Sequence, residues 1–163
     1  METIGWSIRP AGIGDADEVI RLAALMYDAM GLSTADERWR VRANDAFVNR
    51  LGRDMAVVVA DDPTATGRLA ASGAGTIARR LPGPANPDAS VGYIQWISTD
   101  PRWRRRGLAR RITVALLDWY ELLGVPWVEL HATPEGEGLY RSLGFDEGPN
   151  PALRIRRAVP PPP

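Results

Sequence analysis

The stretch from residue 90 to residue 132 leaves little freedom in how it folds. "SVGYIQWIS" reads as a strand and "PWVELHA" as another. Between them "GLARRITVALLDWYELLG" reads as a long amphipathic helix, with Leu108, Ile112, Leu116, Trp119 and Leu123 along one stripe. Strand, helix and strand in that order make a β-α-β unit, whose two strands lie parallel and whose crossover is right-handed. Such a unit cannot bury both of its faces alone, so the remaining chain must supply more strands and helices around it.

Upstream, "GWSIRPA" is a short apolar-polar stretch. Asp15 and Glu18 then sit in capping positions for a helix with Val19, Leu22, Ala23, Met26 and Met30 at helical spacing, ended by Gly31. Thr34 and Glu37 repeat the capping-box spacing ahead of Trp39, Ala43, Phe47 and Leu51, and Gly52 closes that second helix, which forms one layer with the first. "MAVVVA" and "GRLAASGAGTIARRL" read as two strands close enough for a hairpin, and Gly73 and Gly75 inside the second suggest a bulge. "PGPANPDAS" is a loop. After the β-α-β unit a brief helix is expected over Gly136 to Leu143, a last strand over Leu153 to Arg157, and a frayed Pro-rich tail over 158–163. There is no internal repeat, and 163 residues make one ordinary domain, 1–163, able to bury a core without disulfide or metal.

Missing residue types exclude chemistry firmly. With no cysteine there is no thiolate metal site, Cys nucleophile or redox pair, and with His131 as the single histidine no HExxH zinc site can form. No G-x-S-x-G turn is present. No metal is expected. The start "METIGWSIRP" lacks a basic region followed by an apolar stretch, and no apolar run is long enough to span a bilayer, so the expectation is a cytoplasmic protein with no membrane partner.

The most unusual composition is local. "TDPRWRRRGLARRI" places Arg102, Arg104, Arg105, Arg106, Arg110 and Arg111 around Gly107, although the formal net charge of the whole chain is zero. A helix N-terminus already carries partial positive charge and unpaired N–H groups, so arginines crowded there cost stability unless an anion sits among them. A glycine at that turn lets backbone N–H groups approach a phosphate or pyrophosphate. A basic run by itself reads as a solvated face or a nucleic-acid contact. Its position at the strand-to-helix seam points instead to a bound anion.

Residues 97 to 145 resemble the acetyl-CoA-binding core of the GCN5-related N-acetyltransferase (GNAT) family. Arg104, Gly107 and Ala109 match the family's Q/R-x-x-G-x-G/A signature, "ISTDP" is similar to its strand end followed by proline, and "LHATPEGEGLYRSLGF" is similar to its strand, short helix and tyrosine before Gly-Phe. Where the family often has Asn and Ala, seven and four residues before the tyrosine, this chain has Thr133 and Gly136.

The resemblance implies an α/β fold with a mixed, largely antiparallel sheet, a central splayed parallel strand pair and flanking helices. Acetyl-CoA would lie along it: backbone groups of Ile97, Ser98 and Thr99 on the pantetheine, residues Arg104, Arg105, Arg106, Gly107, Leu108, Ala109 and Arg110 on the pyrophosphate, and Thr133, Gly136 and Tyr140 beyond. The reaction implied is direct attack of an acceptor amine on the thioester, with Tyr140 at the leaving thiolate. A phenol near pKa ~10 against a thiol near ~8.5 makes full proton transfer uphill by about 2 kcal/mol, so a strong hydrogen bond comes first. Glu129 and His131, alternating on one strand face, are candidates for the amine proton. Tyr27, Met30, Trp39 and Trp96 are candidates for the acceptor pocket. The partner expected is a small-molecule or peptide amine, with a homodimer as the assembly to test and no nucleic acid. Two other classes stay open on the sequence: a non-catalytic acyl-CoA sensor, and a nucleic-acid module using the Arg102–Arg111 cluster.

Overall fold

A computed structural model describes residues 5–158, and in it the β-α-β unit sits where the strand and helix patterns place it. β4 (Ser90–Thr99), α3 (Leu108–Leu122) and β5 (Trp127–Leu130) form that unit, with β4 and β5 parallel from Val91 opposite Trp127 to Ile94 opposite Leu130. β1 (Ile8–Pro10), β2 (Met55–Asp61) and β3 (Leu69–Arg79) complete a five-stranded sheet in the order β1-β2-β3-β4-β5. Every other pairing is antiparallel. The sheet is therefore mixed and largely antiparallel, with one parallel pair. α1 (Ala16–Ala29) and α2 (Arg38–Arg50) precede β2, and α4 (Pro134–Ser142) follows β5.

The chain divides into two compact units, Met1–His131 and Ala132–Pro163. In the first, both faces of the sheet are covered, which is why "MAVVVA" is a continuous apolar run rather than an alternating one. Val57, Val59 and Ala74 pack with Val19 and Leu22 of α1 and Phe47 of α2. The intervening residues of β3 point to the opposite face, toward α3. There Gly73 and Gly75 are required for space: a Cβ on Gly73 would stand 2.7 Å from Ile112 Cγ2, and one on Gly75 2.6 Å from the Tyr120 hydroxyl. Gly92 on β4 is equally tight, 2.5 Å from Tyr120 Cε1. The Tyr120 hydroxyl is shared between the carbonyls of Thr76 and Tyr93 at 3.0 Å each, pinning α3 across the sheet. The buried stripe of α3 is thus Leu108, Ile112, Leu116 and Tyr120. Trp119 is half-buried and Leu123 is exposed, because the helix docks on the strip that the glycines clear.

The bulge lies across from these glycines rather than at them. Ala74 faces Gln95 and Ser72 faces Ser98, so Trp96 and Ile97 of β4 together oppose Gly73, and Trp96 takes up the extra residue with a φ of 59°. Neither expected capping box forms. Asp15 accepts the Gly12 N–H and both Nη groups of Arg9, while Glu18 pairs with Arg21 and accepts the Leu69 N–H. Thr34 donates to Asp28 and lies outside α2. In each case a charged or tertiary partner outcompetes the local cap.

In the second unit, Thr133 caps α4, its hydroxyl accepting the Gly136 N–H at 3.2 Å, with Pro134 at the first helical position. The strand expected over Leu153 to Arg157 does not form: the residues have no regular structure, and Leu153 and Ile155 are exposed. A strand needs a partner edge for its backbone groups, and among the described residues this unit contains no other strand. The Pro-rich tail from 159 onward lies outside the described residues.

Candidate active site

The arginine-rich turn is set by two buried carboxylates. Asp100, at the end of β4, accepts the Arg102 N–H at 3.1 Å and closes a 3₁₀ turn over Pro101–Trp103, and it also takes Arg21 Nη1 at 3.1 Å. Asp62, in the β2–β3 connection, has no exposed side-chain surface. One of its oxygens accepts the Thr64 N–H at 2.8 Å and the Thr64 hydroxyl at 2.6 Å; the other accepts Trp103 Nε1 at 3.0 Å and Arg102 Nη2 at 3.1 Å. Burial pushes the Asp62 carboxyl up, but the hydrogen bonds from Thr64 and Trp103 and the charge of Arg102 outweigh it and hold the group at about 2. Asp100 is likewise kept below the usual carboxylate range, its burial opposed by Arg102 and Arg21.

Beyond Trp103 the backbone turns sharply. Arg105 has φ 62° and Gly107, the residue that caps α3, has φ 73°. A Cβ on Gly107 would meet nothing within 4 Å, so the glycine is needed for its left-handed backbone, not for room. The first turn of α3 carries no acidic residue, and no side chain caps it. Its leading N–H groups therefore face outward as a site for an anion.

Five of the six clustered arginines fall into two groups. Arg102 is bound to Asp62 and Asp100, Arg106 lies over the Trp103 ring at 5.4 Å, and Arg111 reaches the Trp6 carbonyl at 3.4 Å. Arg104 and Arg105 are exposed and have no side-chain partner among the described residues. Three arginines thus hold the local structure, and two present charge beside the helix end.

β4 outruns its parallel neighbour. Pairing with β5 ends at Ile94 opposite Leu130, while β4 continues to Thr99, leaving that edge of Gln95–Thr99 without a strand partner among the described residues. The Ser98 hydroxyl is turned inward and donates to the Leu22 carbonyl at 2.7 Å, so what this edge offers is backbone. The residues present fit a group with a pyrophosphate and an amide-bearing arm: N–H donors and cations at the turn, then a free strand edge.

On the α1–α2 side of β4 lies a cavity of about 640 Å³, lined among others by Tyr27, Trp39, Arg42, Phe47, Gln95 and Trp96. Trp96 Nε1 donates to the Tyr27 hydroxyl at 2.9 Å, and the three aromatic rings meet edge to face at 5.9 and 6.4 Å between centroids. Met30, half-exposed, is not part of the lining. Glu129 and His131 do not line it either: Glu129 pairs with Arg80 at 2.8 Å, and His131 Nδ1 shares a hydrogen bond with the Tyr93 hydroxyl at 2.7 Å, both on exposed surface.

Within the second unit, Tyr140 sits on α4 with its ring edge-on to Phe145 at 6.0 Å, and burial pushes its phenol above the ordinary value. A Cβ on Gly136 would come within 3.2 Å of the Tyr140 ring, which gives that glycine a packing reason. The residues that sequence reasoning missed are Asp62, Asp100, Arg42 and Gln95. Only Asp100 carried a local signal, as an Asp ahead of a proline.

The family model described as Acetyltransferase (GNAT) domain matches residues 53–147. The chain is 35% identical over 142 residues to glucosamine 6-phosphate N-acetyltransferase 1 of Oryza sativa subsp. japonica, covering 87% of this chain and 82% of that protein. Among solved structures, one described as a predicted acetyltransferase with acetyl-CoA, from Clostridium acetobutylicum, superposes with a TM-score of 0.83 at 18% identity, over 93% of this chain and 96% of that one. Glucosamine-6-phosphate N-acetyltransferase of Arabidopsis thaliana superposes with a TM-score of 0.71 at 21% identity, over 96% and 99%.

Proposed function

The chain belongs to the GNAT acetyltransferase family, and on that premise we propose that it acetylates a primary amine held in the cavity walled by Tyr27, Trp39 and Trp96. It is an acetyl-CoA-dependent N-acetyltransferase; the acceptor and the roles of individual residues are the proposal. The observation that carries it is the continuity of one strand. β4 lines the cavity at Gln95 and Trp96, offers a free backbone edge from there to Thr99, and leads through Asp100 into the turn at Arg104–Gly107.

In this reading Arg104, Arg105 and the N–H groups of Gly107–Arg110 hold the pyrophosphate, and backbone groups of Ile97–Thr99 hold the pantetheine amides. Bound acetyl-CoA supplies an acetyl thioester: the amine nitrogen bonds to its carbonyl carbon as the carbon–sulfur bond breaks, the sulfur leaving with the electron pair and gaining a proton as the amine loses one. Tyr140 donates a hydrogen bond to the departing sulfur, its neutral phenol retained by burial.

An alkyl amine of pKa ~10 is only about one part in a thousand neutral at pH 7. The cavity lining holds no Asp, Glu or His among the described residues. Desolvation by its apolar walls favours the neutral amine, and the proton leaves to water.

Because the chain contains no cysteine, a thiol reagent reads released CoA without background from the protein. Acetyl-CoA at 100 times its Kd should raise stability by about 2.7 kcal/mol. Gly107→Glu, which strains the left-handed turn and sets a carboxylate beside the helix end, should abolish that increase. A Gly107→Glu protein that keeps the full acetyl-CoA shift places the cofactor elsewhere and refutes the reading.

A further inference from the structure

The cavity that receives the amine has a definite charge character. Its lining includes two guanidiniums, Arg42 and Arg50, and no carboxylate or imidazole among the described residues. Arg50 is neutralised: it grips Asp54 through Nε at 3.1 Å and Nη2 at 2.7 Å. Arg42 has no hydrogen-bond or ion-pair partner among the described residues, although it stands on the helical face of α2 that Trp39, Ala43, Ala46 and Arg50 turn to the cavity. One uncompensated positive charge therefore stands on the wall of a site whose substrate brings an ammonium.

Several neutral polar groups of the wall are engaged, whereas the Gln95 side-chain amide has no hydrogen-bond partner among the described residues. The Trp96 indole N–H goes to the Tyr27 hydroxyl, Trp39 Nε1 is directed at the Thr34 carbonyl at 3.5 Å, and the Thr34 hydroxyl donates to Asp28 at 2.9 Å. What faces a ligand is mainly ring and alkyl surface: Tyr27, Trp39 and Trp96, with Phe47, Met55 and Val57 behind them. Beyond the Gln95 amide and Arg42 a polyhydroxylated ligand would find few polar partners, and a polycation would find no carboxylate and one repelling guanidinium.

Resting on the acetyltransferase reading above, we propose that the acceptor is a primary amine with an aryl or alkyl body and a single anionic group, and that Arg42 binds that group. Arg–phosphate and Arg–carboxylate pairing is bidentate and charge-assisted, so the anion fixes the ligand's far end while the aromatic wall holds its body. The amine is left toward Gln95 and Trp96, where β4 begins its free edge.

The test uses four probes with the full chain and acetyl-CoA: tyramine, O-phosphotyramine, glucosamine 6-phosphate and spermidine, each followed by CoA release. O-phosphotyramine should show kcat/KM at least about tenfold above tyramine, mostly through KM, as one charge-assisted bidentate contact supplies. Spermidine should not be turned over. In Arg42→Glu the ratio of O-phosphotyramine to tyramine should fall to about one or below, and in Arg42→Ala to an intermediate value. The thermal shift with acetyl-CoA should stay at the wild-type value in both, showing that fold and cofactor site are intact.

Preference for spermidine, or a phosphate preference that survives Arg42→Glu, overturns the assignment of Arg42. Glucosamine 6-phosphate taken in preference to O-phosphotyramine overturns the apolar body. If acetyl-CoA shifts the melting curve and none of the four amines releases CoA, the inference fails while the cofactor site stands. If acetyl-CoA produces no shift in the wild type, the acetyltransferase reading fails and the inference falls with it.

Discussion

Asp62→Asn should loosen the arginine turn from a distance. The native carboxylate, with no exposed side-chain surface, receives four donors, two on each oxygen. An amide has one acceptor oxygen and one NH2, and either orientation turns that NH2 toward two donors. Pointed at Trp103 and Arg102 it faces two N–H groups that cannot reverse. Pointed at Thr64 it faces a hydroxyl that can rotate to accept and a backbone N–H that cannot. The second arrangement leaves at least one buried N–H unpaired and removes the negative charge beside Arg102, a loss of about 3 kcal/mol for this kind of charge-assisted group.

For a chain of 163 residues that loss lowers Tm by roughly 6–12 °C. The pH dependence separates the charge from mere packing. A carboxyl held at about 2, against an ordinary 3.8, contributes stability that is fully present above pH 4 and is lost as pH falls from about 4 through 2. The gap between wild type and Asp62→Asn should therefore be constant from pH 7 to 5 and narrow below 4. Since Trp103 leads directly into Arg104, the variant should also raise KM for acetyl-CoA more than it lowers kcat. Urea melts across pH 2–7 and initial-rate kinetics check both. A variant melting within a degree of wild type at pH 7, with unchanged KM, would mean that Asp62 does not anchor the turn.

Gly92→Ala drives a methyl to within 2.5–2.9 Å of the Tyr120 ring, which its two carbonyl partners hold in place. It should cost about 1–3 kcal/mol by overpacking, and adding Tyr120→Leu should make the double variant less unstable than the sum of the two singles. Tyr140→Phe should keep acetyl-CoA affinity and lower kcat by roughly 10²-fold or more if the phenol meets the leaving sulfur. In the wild type the alkaline fall of kcat assigned to this phenol should lie above pH 10, because burial raises it, and the Phe variant should lack that limb. A Phe variant with full kcat and a lower Tm makes Tyr140 structural. Without cofactor, sulfate should raise Tm more than chloride at matched ionic strength by filling the turn at Arg104–Gly107; equal effects count against an anion site there.

What the sequence by itself determined about this protein is what depends on near neighbours. The β-α-β order, the ends of the helices at Gly31 and Gly52, the strand-to-helix turn at Gly107 and the arginines beside it all follow from periodicity, backbone sign and local charge, which act over a few residues. The tertiary structure decided the rest, because the partners are far apart in the chain. Asp62 and Trp103 are 41 residues apart, and no local pattern marks either as the other's ligand. Glu18 occupies a capping position, yet it pairs with Arg21 and the Leu69 N–H, 51 residues on. Gly75 and Gly92 look like weak points in strands until the Tyr120 ring lies on them. The expected strand at Leu153–Arg157 had the right alternation, but its own unit has no strand among the described residues to pair with it. A buried carboxylate or a cleared glycine strip gains its energy only when desolvated against a specific partner, and desolvation belongs to the folded chain, not to any segment of it.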